Sequence, residues 1–99
     1  MDFIGQLEAI VLERLKKPDN NSYTARLAAA GTKRIAQKVG EEGVELALAA
    51  VSGDPEEITD EAADLMYHLI VLLAAKGVSL ADVAKRLQAR HADRSSSVC

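Results

Sequence analysis

A helix stop followed at once by a helix start, near the middle of the chain, constrains the fold more than any other feature. Gly53 suits the end of a helix, and Asp54 and Pro55 suit the cap and first position of the next one. Long segments with helical apolar spacing lie on both sides of this break. The sequence therefore predicts an all-α fold that contains two antiparallel helices joined by a short turn.

Two acidic motifs lie at equal distances from this turn. Glu45 and Glu42 lie six and nine residues before the end of the first helix, and Glu61 and Asp64 lie six and nine residues after the start of the second. Residues three apart share a helix face. At about 1.5 Å of rise per residue, Glu45 should face Glu61 and Glu42 should face Asp64. Four carboxylates are thus predicted to converge.

Such a carboxylate cluster needs a compensating charge. Two unit charges about 4 Å apart repel by roughly 4 kcal/mol at an effective dielectric constant near 20. Either a cation or upward pKa shifts must offset that repulsion. All four donors are hard oxygens, so the set favours Mg²⁺, with Mn²⁺ possible, over Zn²⁺ or copper. From spacing alone, ordinary solvated helix carboxylates stay an alternative, because the pattern is common on helix surfaces.

Charge is divided sharply along the chain. Between residues 20 and 40 every charged residue is basic, and between residues 41 and 64 every charged residue is acidic. Basic groups beside a cation site suit a polyphosphate, whose oxygens are shared between metal and Arg or Lys. Nucleic acid is a poorer fit, because the chain is net acidic and has three aromatic residues for base stacking.

Four to five helices are predicted, at about residues 3–17, 22–30, 33–51, 55–76 and 80–91. Ser22 and Thr32 are expected to cap the second and third of these helices. Gly40 and Gly43 lie inside the third helix, which indicates close approach of another backbone or a ligand, or simple tolerance. Residues 1–91 form the predicted domain, and residues 92–99 read as a flexible polar tail.

The chain is expected to act as a homodimer. Residues 65–75 are apolar on nearly every side, and so few helices cannot cover such a segment within one monomer. Val83 and Leu87 of the last helix are expected to face inward.

The location expected from the sequence is a reduced cytoplasm. The N-terminus lacks the basic-then-apolar pattern of a signal peptide, and Cys99 has no second cysteine to pair with. Residues 69–75 are apolar but far too few to span a bilayer, so no membrane partner is expected.

The position of His68, one turn after Asp64, has two interpretations. It could hydrogen-bond that carboxylate and hold its orientation, or it could be satisfied within the core or a dimer interface. The chain has no Glu-x-x-His motif, which argues against a ferritin-like di-iron bundle, and no P-loop.

Three segments carry a resemblance to a known family: residues 22–27 (SYTARL), 38–45 (KVGEEGVE) and 61–68 (EAADLMYH). Together they resemble phosphoribosyl-ATP pyrophosphatase of histidine biosynthesis. The acidic pattern alone is shared with the wider all-α, MazG-like nucleotide pyrophosphohydrolases. The resemblance implies Mg²⁺-dependent hydrolysis of the α,β-phosphoanhydride of 1-(5-phosphoribosyl)-ATP to phosphoribosyl-AMP and pyrophosphate.

The resemblance also implies roles for particular residues. The metal ligands would be Glu42, Glu45, Glu61 and Asp64. Glu41 would orient or deprotonate the attacking water. Phosphate oxygens would be held by Arg26, Arg34 and Lys38, and Tyr23 and Thr24 are candidate substrate contacts. Two alternatives stay open: a housecleaning hydrolase of noncanonical nucleoside triphosphates with the same metal site, and a helical dimerisation module without enzymatic activity.

Overall fold

The computed structural model describes residues 2–17 and 19–94. Within these ranges the chain forms five α-helices and no strands, so the predicted all-α class is confirmed. The helices are α1 (Asp2–Lys16), α2 (Tyr23–Ala30), α3 (Thr32–Ser52), α4 (Pro55–Ala75) and α5 (Leu80–Arg94).

The turn between α3 and α4 forms as the sequence predicts. Gly53 adopts a left-handed conformation with φ 85°, and its N–H donates to the carbonyl of Ala49. Asp54 caps α4, because its side chain accepts a hydrogen bond from the Glu56 N–H at 3.2 Å. This turn directs α4 back along α3, and these two helices pack against each other more extensively than any other pair of described helices.

The connection between α2 and α3 differs from the prediction. Ser22 does cap α2, since its hydroxyl accepts from the Ala25 N–H at 3.2 Å. Thr32, however, is the first residue inside α3, and the cap position is held by Gly31 with φ 102°. The prediction of a Thr32 cap is wrong because Gly31 both ends α2 and begins α3, which leaves no separate residue for a cap.

One core joins the first four helices. Its fully buried members are Val11 of α1, Leu27 of α2, Ile35 of α3, and Ile70 and Val71 of α4. Because each helix contributes to the same cluster, the relative positions of α2, α3 and α4 are set by hydrophobic packing. These three helices carry the candidate site.

The last helix lies largely outside this core. The side chain of Leu80 packs against the core, but those from residue 81 to residue 93 are exposed. The prediction that Val83 and Leu87 face inward is wrong, because they are 37% and 47% exposed. The radius of gyration, 15.1 Å, exceeds the value of about 13 Å typical of a compact chain of 100 residues. The protruding α5 explains this elongation.

The start of α5 is nevertheless well capped. The hydroxyl of Ser79 accepts from the Asp82 N–H, and the Asp82 carboxylate accepts from the Ser79 N–H, each at 3.0 Å. The backbone N–H of Ser79, and next the Ser79 side chain, hold the pKa of the Asp82 carboxyl below its usual value. The carboxylate of Glu8 on α1 accepts a hydrogen bond from the Leu80 N–H at 2.8 Å, which connects the start of α5 to α1. Among residues 2–17 and 19–94, α5 is therefore attached to the rest of the fold through its N-terminal end.

The end of α5 also departs from the prediction. The helix continues to Arg94, so residues 92–94 of the predicted flexible tail are helical, and residues 95–99 lie outside the described ranges. No single helix in the described part of the chain is long and apolar enough to cross a bilayer, although α4 and α5 pass such a test jointly, as a pair bent by 103°.

Candidate active site

The four predicted metal ligands lie on α3 and α4, and they differ in burial. Glu42 is buried, with 6% of its surface exposed. Glu61 is half-buried, and Glu45 and Asp64 are exposed. A buried carboxylate is costly unless charge or hydrogen bonds compensate it, so Glu42 is the acid whose surroundings are most informative.

The negative charges of both helices act on Glu61. Its pKa is raised above the ordinary value, first by desolvation and then by the charges of Glu45, Asp64, Glu57 and Glu42. Two of these neighbours are on α3 and two are on α4. Carboxylates from both helices therefore contribute to one region of negative potential.

This repulsion predicts that replacing Glu61 stabilises the metal-free chain. A raised folded-state pKa means that ionisation costs more in the folded chain than in the unfolded one. The contribution of Glu61 to stability is thus most favourable below the ordinary pKa of 4.5 and is lost as the pH rises through the raised value. In EDTA, Glu61→Gln should raise the melting temperature at pH 7 and flatten its pH dependence above about pH 4.5. Glu56→Gln, at an exposed position in the first turn of α4, is the matched control. An unchanged or lower melting temperature for Glu61→Gln would contradict the clustering.

The carboxylate oxygens of the four acids are donors that suit a hard cation. In this structure, however, the four side chains do not surround one common point. No group of three or more acidic, histidine or cysteine side chains in residues 2–17 and 19–94 is arranged to hold a metal ion. One observation does point to a ligand: Oε1 of Glu42 is buried, and no hydrogen-bond partner for it is present in the described part of the chain. A buried acceptor of this kind is what a cation would satisfy. The exposed Glu45 and Asp64 can change rotamer at little cost.

His68 connects this buried acid to α2. Its Nδ1 lies 3.0 Å from the backbone carbonyl oxygen of Asp64 and 2.5 Å from Oε1 of Glu42, and its Nε2 lies 2.9 Å from the hydroxyl of Tyr23. Nδ1 is aligned with the carbonyl oxygen of Asp64, so its contact with Glu42 is a close electrostatic one and not an aligned hydrogen bond.

Of the two interpretations of His68, the structure shows the one in which the ring is satisfied within the fold, and not a hydrogen bond to the Asp64 carboxylate. Asp64 lies four residues before His68 on α4. Its backbone carbonyl contacts the imidazole ring, whereas the side chain of Asp64 is exposed. The carboxylate that the ring does reach is that of Glu42, on the facing helix.

Two further side chains of this region are tied into the fold. Thr24 is buried, and its hydroxyl is hydrogen-bonded to the hydroxyl of Tyr67. The substrate contact at Thr24 stays a prediction, and a substrate would have to share this hydroxyl with Tyr67. Sequence reasoning did not assign Tyr67 a role. The sequence feature that could have indicated a role for Tyr67 is its position next to His68 in residues 61–68, one of the segments that resemble the family.

The three predicted phosphate-binding residues are placed differently. Lys38 lies one turn before Glu42 on α3, with its Nζ 3.7 Å from the Glu42 Oε2. Arg26 donates from Nη1 to the carbonyl of Asn20 at 2.5 Å, which ties it to the loop before α2. Arg34 is exposed in the first turn of α3. Lys38 is thus the basic residue that the structure brings into contact with an acid of the site.

Glu41 and the two glycines of α3 lie on its more open surface. Glu41 is exposed and accepts a hydrogen bond from Gln37 at 3.0 Å, so its role toward a water stays a prediction. A Cβ added at Gly40 or Gly43 would meet nothing within 4 Å. Within the described residues no other backbone approaches these glycines, so the expectations of a ligand or of simple tolerance stay open.

Fold and site together define the class of protein: an all-α domain in which acids of a helix hairpin lie beside basic groups, an arrangement suited to a cation and phosphates. A family model described as phosphoribosyl-ATP pyrophosphohydrolase matches residues 4–91. The chain belongs to this family, and the resemblance found in its sequence is confirmed.

Curated relatives align with nearly the whole chain. The histidine biosynthesis bifunctional protein HisIE of Photobacterium profundum is 60% identical over 89 residues, which is 90% of this chain and 43% of that protein. The proteins of the same name from Vibrio cholerae and Escherichia coli are each 57% identical, over 92% and 90% of this chain. The chain spans less than half the length of these relatives.

Proposed function

We propose that this chain hydrolyses 1-(5-phosphoribosyl)-ATP to 1-(5-phosphoribosyl)-AMP and pyrophosphate, in a Mg²⁺-dependent reaction of histidine biosynthesis. The observation that carries the proposal is the family match over residues 4–91, because this span contains the buried Glu42 and the other acids of the hairpin. The name of the relatives, histidine biosynthesis bifunctional protein, supports the same pathway.

The acids of the hairpin are the groups that would hold the metal: Glu42, Glu45, Glu61 and Asp64. When bound, Mg²⁺ neutralises charge on the phosphate oxygens and lowers the pKa of a coordinated water. Glu42 keeps its place by burial and by contact with His68, whereas the exposed acids adjust to the ligand. Glu41 is the candidate for orienting the attacking water.

Lys38 has a double role in this proposal. In the ligand-free chain its ammonium group lies near Glu42 and partly compensates that buried charge. The flexible stem and compact charge of a lysine also suit a phosphate oxygen, so Lys38 would hold the substrate when Glu42 has another compensating charge. Arg26 and Arg34 would steady the remaining phosphate oxygens and the pyrophosphate leaving group.

A substrate panel tests this function against its alternatives. Pyrophosphate release is measured for phosphoribosyl-ATP and for canonical and noncanonical deoxynucleoside triphosphates, each with Mg²⁺ and with EDTA. We expect kcat/KM for phosphoribosyl-ATP to exceed the others on the order of 100-fold, with no turnover in EDTA. Faster turnover of a noncanonical nucleotide would favour a housecleaning hydrolase. No turnover together with no Mg²⁺-dependent thermal shift would favour a dimerisation module.

The proposal includes a homodimer, which is supported by exposed apolar side chains on three helices. On α3, Val44 and Leu48 are 60% and 65% exposed, and Met66 and Leu69 of α4 are exposed as well. Val83 and Leu87 line one side of the protruding α5. A second copy is a suitable cover for this surface, because a helix attached at one end can pack its apolar side onto a neighbouring subunit.

Disruption of the α5 surface should separate the subunits. We expect the double variant Val83→Glu and Leu87→Glu to sediment as a monomer at micromolar concentration, because two charges would have to be buried at the interface. Gln88→Glu, at an exposed position on the same helix, should leave the dimer intact. A monomeric wild-type chain, or a double variant that still forms dimers, would contradict the assignment of this surface.

A further inference from the structure

The two nitrogens of His68 have neighbours of opposite kinds. Nδ1 lies beside two acceptor oxygens: the carbonyl oxygen of Asp64 at 3.0 Å and Oε1 of Glu42 at 2.5 Å. Nε2 lies 2.9 Å from the hydroxyl of Tyr23, a group that can donate or accept. The ring is buried, with 6% of its residue surface exposed, so water cannot readily replace these partners.

This asymmetry has a consequence for the position of the ring proton. A proton on Nδ1 is attracted to both oxygens, whereas a bare lone pair on Nδ1 would face two more electron-rich atoms and repel them. A neutral imidazole carries its proton on one nitrogen, and the hydrogen bond made by the other nitrogen selects which one. A hydroxyl that donates to Nε2 therefore favours the form in which Nδ1 carries the hydrogen.

We infer that Tyr23 is a positioning residue: its hydroxyl donates to Nε2 of His68, keeps the proton on Nδ1, and thereby holds the buried Glu42 carboxylate in place for a divalent cation. The inference deepens the proposed function, and its last part rests on Glu42 being a metal ligand. Groups that orient a ligand from outside the coordination sphere are an established way of tuning metal affinity.

The contrast with Tyr67 makes the assignment specific. Both tyrosine rings lie edge-on to His68, with centroid separations of 5.7 Å for Tyr23 and 5.0 Å for Tyr67. The hydroxyl of Tyr67, however, is paired with Thr24, and the hydroxyl of Tyr23 is the one that reaches Nε2. The two hydroxyls therefore differ in function although the rings share one cluster.

The linkage also explains why α2 belongs to the site. Tyr23 is the first residue of α2, His68 is on α4 and Glu42 is on α3. A chain of polar contacts thus runs from Tyr23 on α2 through His68 on α4 to Glu42 on α3. In this arrangement α2 influences metal binding without contributing a ligand.

The first experiment reads the tautomer directly. Nitrogen-15 NMR of the histidine side chains distinguishes protonated from unprotonated ring nitrogens, and the chain has two histidines, so His91→Gln identifies the His68 signals. For the wild-type chain in EDTA we expect a protonated Nδ1 and an unprotonated Nε2. Tyr23→Phe should shift the ring to a mixture or to the opposite tautomer. Tyr67→Phe, the matched loss of a hydroxyl from the same cluster, should leave the tautomer unchanged.

The second experiment measures cation binding without turnover. Mn²⁺ affinity is determined by electron paramagnetic resonance for the wild-type chain, Tyr23→Phe and Tyr67→Phe, with folding verified by circular dichroism. We expect Tyr23→Phe to weaken Mn²⁺ binding on the order of 10-fold and Tyr67→Phe to have a much smaller effect. Phe retains the ring, and the Tyr23 side chain is at the surface, so this variant is expected to fold.

The outcomes separate this inference from the proposed function. A wild-type chain with Nδ1 unprotonated, or with protons on both nitrogens, would overturn the inference, as would an unchanged tautomer or unchanged Mn²⁺ affinity in Tyr23→Phe. If the wild-type chain binds no Mn²⁺, the proposed metal site and the part of the inference that depends on it both fail, whereas the tautomer result still decides whether Tyr23 sets the His68 proton. Normal hydrolysis and Mn²⁺ binding by both variants would overturn the role of Tyr23 and leave the proposed function standing.

Discussion

Replacement of Glu42 by glutamine is expected to lower kcat for phosphoribosyl-ATP hydrolysis by about 100-fold or more. Glutamine keeps the size of the side chain but removes the negative charge and replaces one oxygen with an NH₂ group that cannot bind a cation. If the amide oxygen faces His68, the NH₂ group faces Lys38, so either orientation places two donors together. A lost ligand should cost at least as much as the loss of an orienting neighbour, for which about 10- to 100-fold is typical.

The measurement is a Mg²⁺ titration of the initial rate, together with a circular dichroism spectrum to verify the helical fold. Glu56→Gln makes the same change at an exposed position outside the acid cluster and should keep wild-type activity. Asp64→Asn provides an independent test, because that side chain is exposed and its replacement does not disturb the core. Substantial turnover by both Glu42→Gln and Asp64→Asn would contradict the assigned metal site.

The second large effect concerns stability. Val71→Ala is expected to destabilise the fold by about 2–3 kcal/mol, because Val71 is 0% exposed and its truncation removes buried methyl groups and leaves a cavity. In a domain of this size such a loss corresponds to a fall in melting temperature of about 10–20 °C. Total stabilities of about 5–15 kcal/mol are usual, so a substantial share would be lost.

The chain offers a matched control for this experiment. Val51→Ala is the same substitution on the neighbouring helix, at a residue that is 86% exposed. It should change the melting temperature by no more than a few degrees. Both variants are compared in EDTA by thermal denaturation, so that metal binding does not contribute. Equal losses for the two positions would mean that burial in the described fold does not represent the chain in solution.

Local features of the fold could be predicted because they depend on residues close in sequence. The cap formed by Asp54, the left-handed Gly53 and the reversal between α3 and α4 follow from conformational preferences of a few adjacent residues. The Thr32 cap was wrong for an equally local reason, since one glycine served both neighbouring helices. The prediction that Val83 and Leu87 face inward was wrong for a different reason. Periodicity shows that a helix has an apolar side, but it does not show whether the same chain covers that side.

Within the site, residue type and spacing predicted the acids as metal ligands and Lys38 as a phosphate contact, from helix geometry and donor chemistry, and these roles stay predictions. The connection from Tyr23 through His68 to Glu42 was not predictable in this way. Tyr23 and His68 are 45 positions apart, and their contact depends on how α2 packs on α4.

The amino-acid sequence by itself thus determined the helices, the hairpin between α3 and α4, and the family of the protein, because each rests on local conformational preference or on short motifs. Only the tertiary structure decided which carboxylate is buried, which oxygens the ring of His68 contacts, and that α5 is left without a partner in the described chain. The physical reason is that these properties arise from hydrophobic packing between distant segments, which brings together groups that no spacing along the chain relates.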